Sequence, residues 1–89
     1  MNKSNNISEN ENMQQLLALL SRVLGIDIST ITDETSPDNT ETWDSFNGLM
    51  MVSELEREFD VHFTMDEVVA VTCVKDIKEA LKKHGIAIE

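Results

Sequence analysis

The sequence has 89 residues, of which 40% are hydrophobic, and its 17 acidic against 7 basic residues give a net charge of −10. A chain of this length forms one small domain, and a surface this acidic repels phosphate backbones, which argues against nucleic acid as a partner. No apolar run is long enough to cross a membrane, no signal peptide pattern is present, and a single cysteine cannot form an internal disulfide. We therefore expect a cytoplasmic monomer.

The first predicted element is a helix that begins at Ser8 and ends before Gly25. Ser8 and Glu11 form a capping-box pattern. The polar residues 1–8 are predicted to be a disordered tail, so the domain is predicted to span residues 9–86. Apolar residues recur at helical spacing along this helix, namely Met13, Leu16, Leu17, Leu20, Val23 and Leu24.

A long loop is predicted between the first helix and Trp43, because this stretch is rich in Thr, Ser, Asp and Asn and contains the only proline. Ile26, Ile28 and Ile31 are predicted to anchor the loop to the core. Its acidic residues do not form an EF-hand loop, since the position that requires glycine is occupied by Asp38.

The second helix is predicted to start at Asp44 or Ser45, which are both good N-cap residues, and to run to about Asp60. Two apolar stripes lie on opposite sides of it. The stripe predicted to face the core is Gly48, Met51, Val52, Leu55 and Phe59. The opposite stripe is Phe46, Leu49 and Met50. A small bundle can hardly bury both sides of one helix, so we predict that the second stripe is an exposed contact surface beside Ser45. The alternative is that Leu49 or Phe46 packs under the long preceding loop.

Two more helices complete the predicted fold. Thr64 and Glu67 form a capping-box pattern that opens a short third helix. The last helix is predicted from about Val74 to His84, with Gly85 as its stop. No strand pattern is visible, so the predicted class is all-α, a four-helix bundle with a long loop between helices 1 and 2 and a short third helix.

Ser45 is the hydroxyl that these patterns single out. No histidine lies within fifteen residues of it and no G-x-S-x-G elbow is present, so the chain is not predicted to be an enzyme and no catalytic residue is assigned. Cys73, His62 and His84 lack the paired spacing of a zinc site, so no metal site is predicted. Two interpretations stay open: Ser45 caps the helix, or it is an attachment point at which another protein supplies the catalytic groups.

The stretch WDSFNGLMMVSELEREFDV resembles the signature region of acyl carrier and peptidyl carrier proteins. Asp44, Ser45 and Phe46 match the Asp-Ser-Leu-type motif that opens the second helix in that family. Leu55 and Phe59 match the pair that closes the core face of the same helix. Further along the chain, the stretch TCVKDIKEAL is similar to the start of the family's fourth helix.

The resemblance extends from about Met13 to Gly85 and implies a four-helix bundle of the acyl-carrier type. It implies that a dedicated transferase, with magnesium, attaches 4′-phosphopantetheine from coenzyme A to Ser45. The thiol of this arm then holds an acyl or aminoacyl group as a thioester. The implied partners are the phosphopantetheinyl transferase, a loading enzyme and downstream pathway enzymes with basic or apolar docking patches.

The expected docking residues surround Ser45 on the second helix. They are Asp44, Phe46, Leu49, Met50, Glu54, Glu56 and Arg57. The chain departs from carriers of fatty acid synthesis: Asn47 and Gly48 replace an acid and a hydroxyl residue, and Trp43 precedes the motif. These differences favour a freestanding carrier of a specialised pathway that makes polyketides, nonribosomal peptides or modified acyl groups. The alternatives are a housekeeping acyl carrier of fatty acid synthesis and, in another class, an unmodified acidic adaptor that binds a basic partner.

Overall fold

The computed structural model describes the backbone of residues 2–88 and the side chains of residues 9–88. Within these residues it has four α-helices and no β-strand, which confirms the predicted all-α class. The helices are α1 (Asn2–Leu24), α2 (Ser45–Phe59), α3 (Met65–Ala70) and α4 (Val74–Lys83), with a 3₁₀ helix at Ile28–Thr30. The long connection between α1 and α2 and the short α3 lie where the sequence predicts them.

The first helix begins earlier than its capping pattern predicts. It starts at Asn2 rather than at Ser8, and the disorder expected for residues 1–8 stays a prediction. A physical reason is that residues 2–8 contain no proline or glycine that would interrupt a helical backbone. The Ser8 side chain of the predicted capping box lies outside the described side chains. The domain boundaries at residues 9 and 86 stay a prediction.

One continuous apolar core joins α1, α2 and α4. Leu16, Leu20 and Leu24 are buried as predicted, whereas Leu17 is only half-buried and Leu19, which the pattern omitted, is buried. Burying an aliphatic side chain of this size contributes about 1.5–3 kcal/mol, so this core is the main source of stability. Its members are Leu16, Leu19, Leu20, Leu24, Trp43, Met51, Leu55, Phe59, Val61, Val74, Ile77, Leu81 and Ile88.

The connection between α1 and α2 is held to the bundle partly by residues that the sequence did not indicate. Ile26 and Ile31 pack against the core as predicted. The prediction for Ile28 was wrong: its side chain is 41% exposed, because it lies in the 3₁₀ helix, which has no buried residue. Thr35 is buried instead, and its carbonyl accepts a hydrogen bond from Val74 N at 2.9 Å. The loop is thereby joined to the start of α4.

Local signals set the bounds of α3 and α4 closely. Thr64 and Glu67 form the predicted capping box, with Thr64 N donating to Glu67 Oε1 at 2.8 Å and Glu67 N donating to Thr64 Oγ1 at 3.2 Å. The fourth helix ends at Lys83, one residue before the predicted His84. Gly85 follows with a φ of 84°, a left-handed conformation that strains any residue with a Cβ.

Candidate functional site

Ser45 is the first residue of α2, and its hydroxyl does not cap that helix. The N-cap is Asp44, whose Oδ1 accepts a hydrogen bond from Asn47 N at 2.9 Å. Ser45 is exposed, and its Oγ makes no hydrogen bond with the residues that the structure describes. Of the two interpretations left open by the sequence, capping therefore belongs to Asp44, and Ser45 presents a free hydroxyl to solvent.

Hydrogen bonds fix the turn that leads into Ser45. Trp43 N donates to Thr40 O at 3.0 Å. Asn47 Nδ2 reaches back across the turn and donates to Thr42 O at 2.8 Å. The Trp43 side chain, which sequence reasoning did not assign to the core, is buried. The free hydroxyl is thus held on a defined turn, which lowers the entropy cost of presenting it to another protein.

The predicted exposed stripe of α2 is present. Phe46 is 70% exposed, Leu49 is 67% exposed and Met50 is 40% exposed, so these three residues define an apolar surface that we name the α2 outer face. Met51, Leu55 and Phe59 on the opposite side are buried, as predicted. Large apolar side chains left in solvent beside a free hydroxyl are typical of a contact surface.

The charged residues expected to dock partners are engaged within the chain. Glu54 Oε1 accepts from Arg22 Nη2 at 3.1 Å and from Arg57 Nη2 at 2.6 Å, which joins α1 to α2. Glu56 Oε2 accepts from Phe63 N at 2.9 Å and so holds the segment before α3. These two carboxylates therefore have structural partners, and a docking role for them stays a prediction.

A cleft of about 510 Å³ lies beside Ser45, between α2, α3 and α4. Sequence reasoning gave no indication of it, because it arises where half-buried apolar residues of three helices face each other. Four lining residues carry polar side-chain atoms, namely Trp43, Asp44, Ser45 and Glu67. The remaining lining residues are Pro37, Gly48, Leu49, Met51, Val52, Leu55, Phe63, Val68, Val71, Ile77 and Ala80.

Glu67 connects the wall of the cleft formed by α3 to the end of α4. Its carboxylate lies 3.0 and 3.1 Å from His84 Nε2, and the His84 ring meets the Phe63 ring edge to face at 5.2 Å. The backbone hydrogen bond from Thr64, followed by the hydrogen bond to His84, holds the pKa of Glu67 below its ordinary value. The carboxylate is thus kept ionised and committed to these contacts.

The described residues offer little for other site chemistry. Among them, no group of three or more His, Cys, Asp or Glu side chains is placed to hold a metal ion. None of the helices in this part of the chain combines the length and the apolar character needed to span a membrane. The features that remain are the Ser45 hydroxyl, the α2 outer face and the cleft between α2, α3 and α4.

Comparison with known proteins agrees with this arrangement. Residues 14–81 match the family model described as phosphopantetheine attachment site. The chain is also 27% identical over 75 residues to the acyl carrier protein of Karelsulcia muelleri (strain GWSS), a match that covers 84% of this chain and 90% of that protein. Members of this family are carriers rather than enzymes, and they work with a phosphopantetheinyl transferase and with pathway enzymes. The chain belongs to the phosphopantetheine-binding carrier family, whose domain is the site of covalent 4′-phosphopantetheine attachment.

Proposed function

We propose that this chain is a freestanding carrier protein of a specialised biosynthetic pathway, with 4′-phosphopantetheine attached to Ser45. The observation that carries the proposal is the free hydroxyl at the first residue of α2, since Asp44 and not Ser45 caps the helix. This hydroxyl makes no contact that stabilises the fold, and it lies on a fixed turn beside the apolar α2 outer face. Such a position is suitable for an attachment point that other proteins recognise.

The attachment reaction needs a nucleophile from this chain and a base from the transferase. Ser45 Oγ forms a new bond to the phosphorus that carries the pantetheine, and its proton passes to a base of the transferase. The P–O bond of the coenzyme A pyrophosphate breaks, and adenosine 3′,5′-bisphosphate leaves with the electron pair. When bound, the group supplies a terminal thiol that holds an acyl group as a thioester. No described residue forms a hydrogen bond with Ser45 Oγ through which it could act as the base. A base supplied by the transferase is consistent with this geometry.

The cleft supports an acyl rather than an aminoacyl cargo. Its side-chain wall is mostly aliphatic, and its polar side chains are few. The two carboxylates of the wall, Asp44 and Glu67, already accept hydrogen bonds from within the chain. An ammonium group would therefore compete with these contacts, whereas an aliphatic chain gains free energy from the apolar wall. We therefore favour a modified acyl group among the specialised cargoes.

The charges of α2 support a specialised pathway over fatty acid synthesis. The α2 outer face presents Met50 at a position that is often acidic in carriers of fatty acid synthesis, and the nearby Glu54 is paired with Arg22 and Arg57. A partner that binds this face therefore needs apolar contacts there, with basic groups opposite the acidic loop before Ser45. We propose that Asp44 and the α2 outer face make the main docking contacts, with Arg57 at the edge.

Enzymes of fatty acid synthesis provide the test of the pathway. The phosphopantetheinylated protein should accept a malonyl group from a fatty-acid malonyltransferase much more slowly than a fatty-acid carrier does in a parallel reaction. Equal rates would support the housekeeping alternative. A chain that takes up no phosphopantetheine from several transferases would support the third alternative, an unmodified acidic adaptor.

A further inference from the structure

The indole of Trp43 is a polar group that the proposed function has not used. Its side chain is only 8% exposed and forms part of the cleft wall next to Ser45. Its Nε1–H donates no hydrogen bond to any residue in the described part of the chain. Among these residues no fully buried side-chain nitrogen or oxygen lacks a hydrogen-bond partner, so this N–H keeps some contact with solvent. A buried donor that keeps access to a cleft is available to a ligand in that cleft.

Gly48 keeps this donor open. A Cβ built on Gly48 would lie 3.7 Å from Trp43 Nε1 and 3.9 Å from Cδ1, so the glycine leaves the edge of the indole uncovered. Gly48 stands inside α2, where glycine is less favourable for helix stability than alanine. Relative to alanine, glycine at this position thus lowers the stability of α2 and leaves Trp43 Nε1–H uncovered.

The other polar side chains of the cleft cannot take the same role. Asp44 already accepts from Asn47 N, and Glu67 already accepts from Thr64 N. Both are carboxylates and offer no proton. Once Ser45 Oγ is esterified it donates none either. Among the lining side chains, Trp43 Nε1–H is therefore the donor that remains for a cargo.

We propose that Trp43 Nε1–H donates a hydrogen bond to an oxygen of the carried acyl group, so that the cleft selects acyl groups with a hydroxyl or carbonyl oxygen near the thioester. This inference rests on the proposed attachment at Ser45. A saturated chain laid against the indole leaves a buried donor without an acceptor, whereas an oxygenated chain satisfies it. Sites that contain such a donor discriminate strongly against ligands that lack the acceptor.

The position of Trp43 along the cleft sets where the oxygen must lie. Along α2, Gly48 is about 4.5 Å and Leu55 about 15 Å from Ser45, at 1.5 Å per residue. The proposed contact requires the arm to fold back so that the thioester lies at the Ser45 end of the cleft. An acyl chain that enters there and extends toward Leu55 passes Gly48 and the indole with its first carbons. The oxygen is therefore expected on a carbon close to the thioester, such as the β-carbon.

The one tryptophan of the chain provides a direct probe. A transferase loads Ser45 from coenzyme A, hexanoyl-coenzyme A or β-hydroxyhexanoyl-coenzyme A, and the indole N–H signal is recorded by ¹⁵N NMR. We expect the signal to shift downfield with β-hydroxyhexanoyl and to stay close to its arm-only position with hexanoyl. Equal positions for the two acyl forms, or the same shift with the arm alone, would overturn the proposal.

Matched variants test the selection itself through the rate at which each loaded thioester reacts with hydroxylamine. Trp43→Phe should speed the reaction of the β-hydroxyhexanoyl form several-fold more than that of the hexanoyl form, and Gly48→Ala should act in the same direction by covering the N–H. Val69→Ala, an exposed position outside the cleft, is the control. If Trp43→Phe fails to fold, Gly48→Ala still decides. If Gly48→Ala changed the hydroxylamine rates of the two loaded forms by the same factor, the inference would be wrong.

Mass spectrometry separates this inference from the function on which it rests. A protein that gains no mass with any of the three coenzyme A donors shows that the attachment proposal is wrong. A protein that gains each expected mass but shows the same indole signal with both acyl groups retains its carrier role and loses only the selection by Trp43.

Discussion

The two sides of α2 carry similar residues and differ in what surrounds them. Met51, Leu55 and Phe59 are buried against the core, while the α2 outer face is mostly in solvent. Hydrophobicity alone does not tell these two sets apart. Because an exposed apolar side chain contributes little to folding, the inner side accounts for stability and the outer face is better explained by binding. Ser45 and the cleft lie at the boundary between the two sides.

The strongest test of the inner side is Leu55→Ala. Leu55 is almost fully buried, so its truncation leaves a cavity and should lower the free energy of unfolding by roughly 2–5 kcal/mol. That is a large share of the total expected for a small domain. Urea denaturation followed by circular dichroism measures the change. A variant as stable as the parent would show that the inner side is assigned wrongly.

Gly48→Ala tests the boundary between the two sides. The added Cβ meets only ordinary contacts with Trp43, and alanine is better than glycine inside a helix. The free energy of unfolding should therefore rise by about 0.5–1 kcal/mol. The same urea denaturation experiment measures this increase in the free energy of unfolding. A loss of stability would mean that the indole packs more tightly against α2 than these contacts indicate.

Glu67→Gln tests the wall of the cleft that faces α2. The pKa of Glu67 is lowered in the folded chain, first by the Thr64 backbone hydrogen bond and then by His84. A lowered folded pKa contributes stability that is present above the ordinary carboxyl pKa and lost as pH falls through the folded value. The stability advantage of the parent over Glu67→Gln should therefore be full at neutral pH and shrink in acid.

The matched control for this pH experiment is Glu34→Gln. Glu34 is exposed, and its carboxylate has no hydrogen-bond or ion-pair partner among the described side chains. Its denaturation midpoints should follow those of the parent at each pH. If Glu67→Gln also followed the parent down to acid pH, the capping box and the His84 contact would not contribute as described.

Met50→Glu is expected to have the smallest effect on folding. Met50 belongs to the exposed set, so the free energy of unfolding should change by no more than about 0.5 kcal/mol. Binding to pathway enzymes should weaken, because a charge then enters an apolar contact. Isothermal titration calorimetry with a partner enzyme measures this loss of affinity. An unfolded Met50→Glu protein would show that the two sides of α2 are reversed.

Local patterns predicted the features that depend on nearby residues. The start of α2 at Asp44 or Ser45, the Thr64–Glu67 capping box and the periodic burial of Leu55 and Phe59 depend on residues within a few turns of chain, so they were predicted; that Asp44 rather than Ser45 caps α2 was left open. Helix order and the position of Ser45 follow from these signals. The exposure of the α2 outer face also follows, because a helix that buries one side in a small bundle exposes the other.

Features that depend on distant residues were missed. The burial of Trp43 and Thr35 requires the loop to fold back over the bundle, and no periodic pattern marks it. Glu54 looked free for docking because one of its two partners, Arg22, is 32 residues away, although the other, Arg57, is only three residues away. The cleft likewise requires three helices to meet at set distances, which spacing along the chain does not report.

The central claim, that Ser45 is the attachment residue, is tested most directly by the intact mass of three proteins treated with coenzyme A, magnesium and a broad-specificity phosphopantetheinyl transferase. The three are the parent, Ser45→Ala and Ser53→Ala, a matched change at an exposed serine of the same helix. We predict one added phosphopantetheine on the parent and on Ser53→Ala, and none on Ser45→Ala. The helical signal of Ser45→Ala should be unchanged, because Asp44 supplies the cap. Addition to a folded Ser45→Ala protein, or to none of the three, would contradict the account.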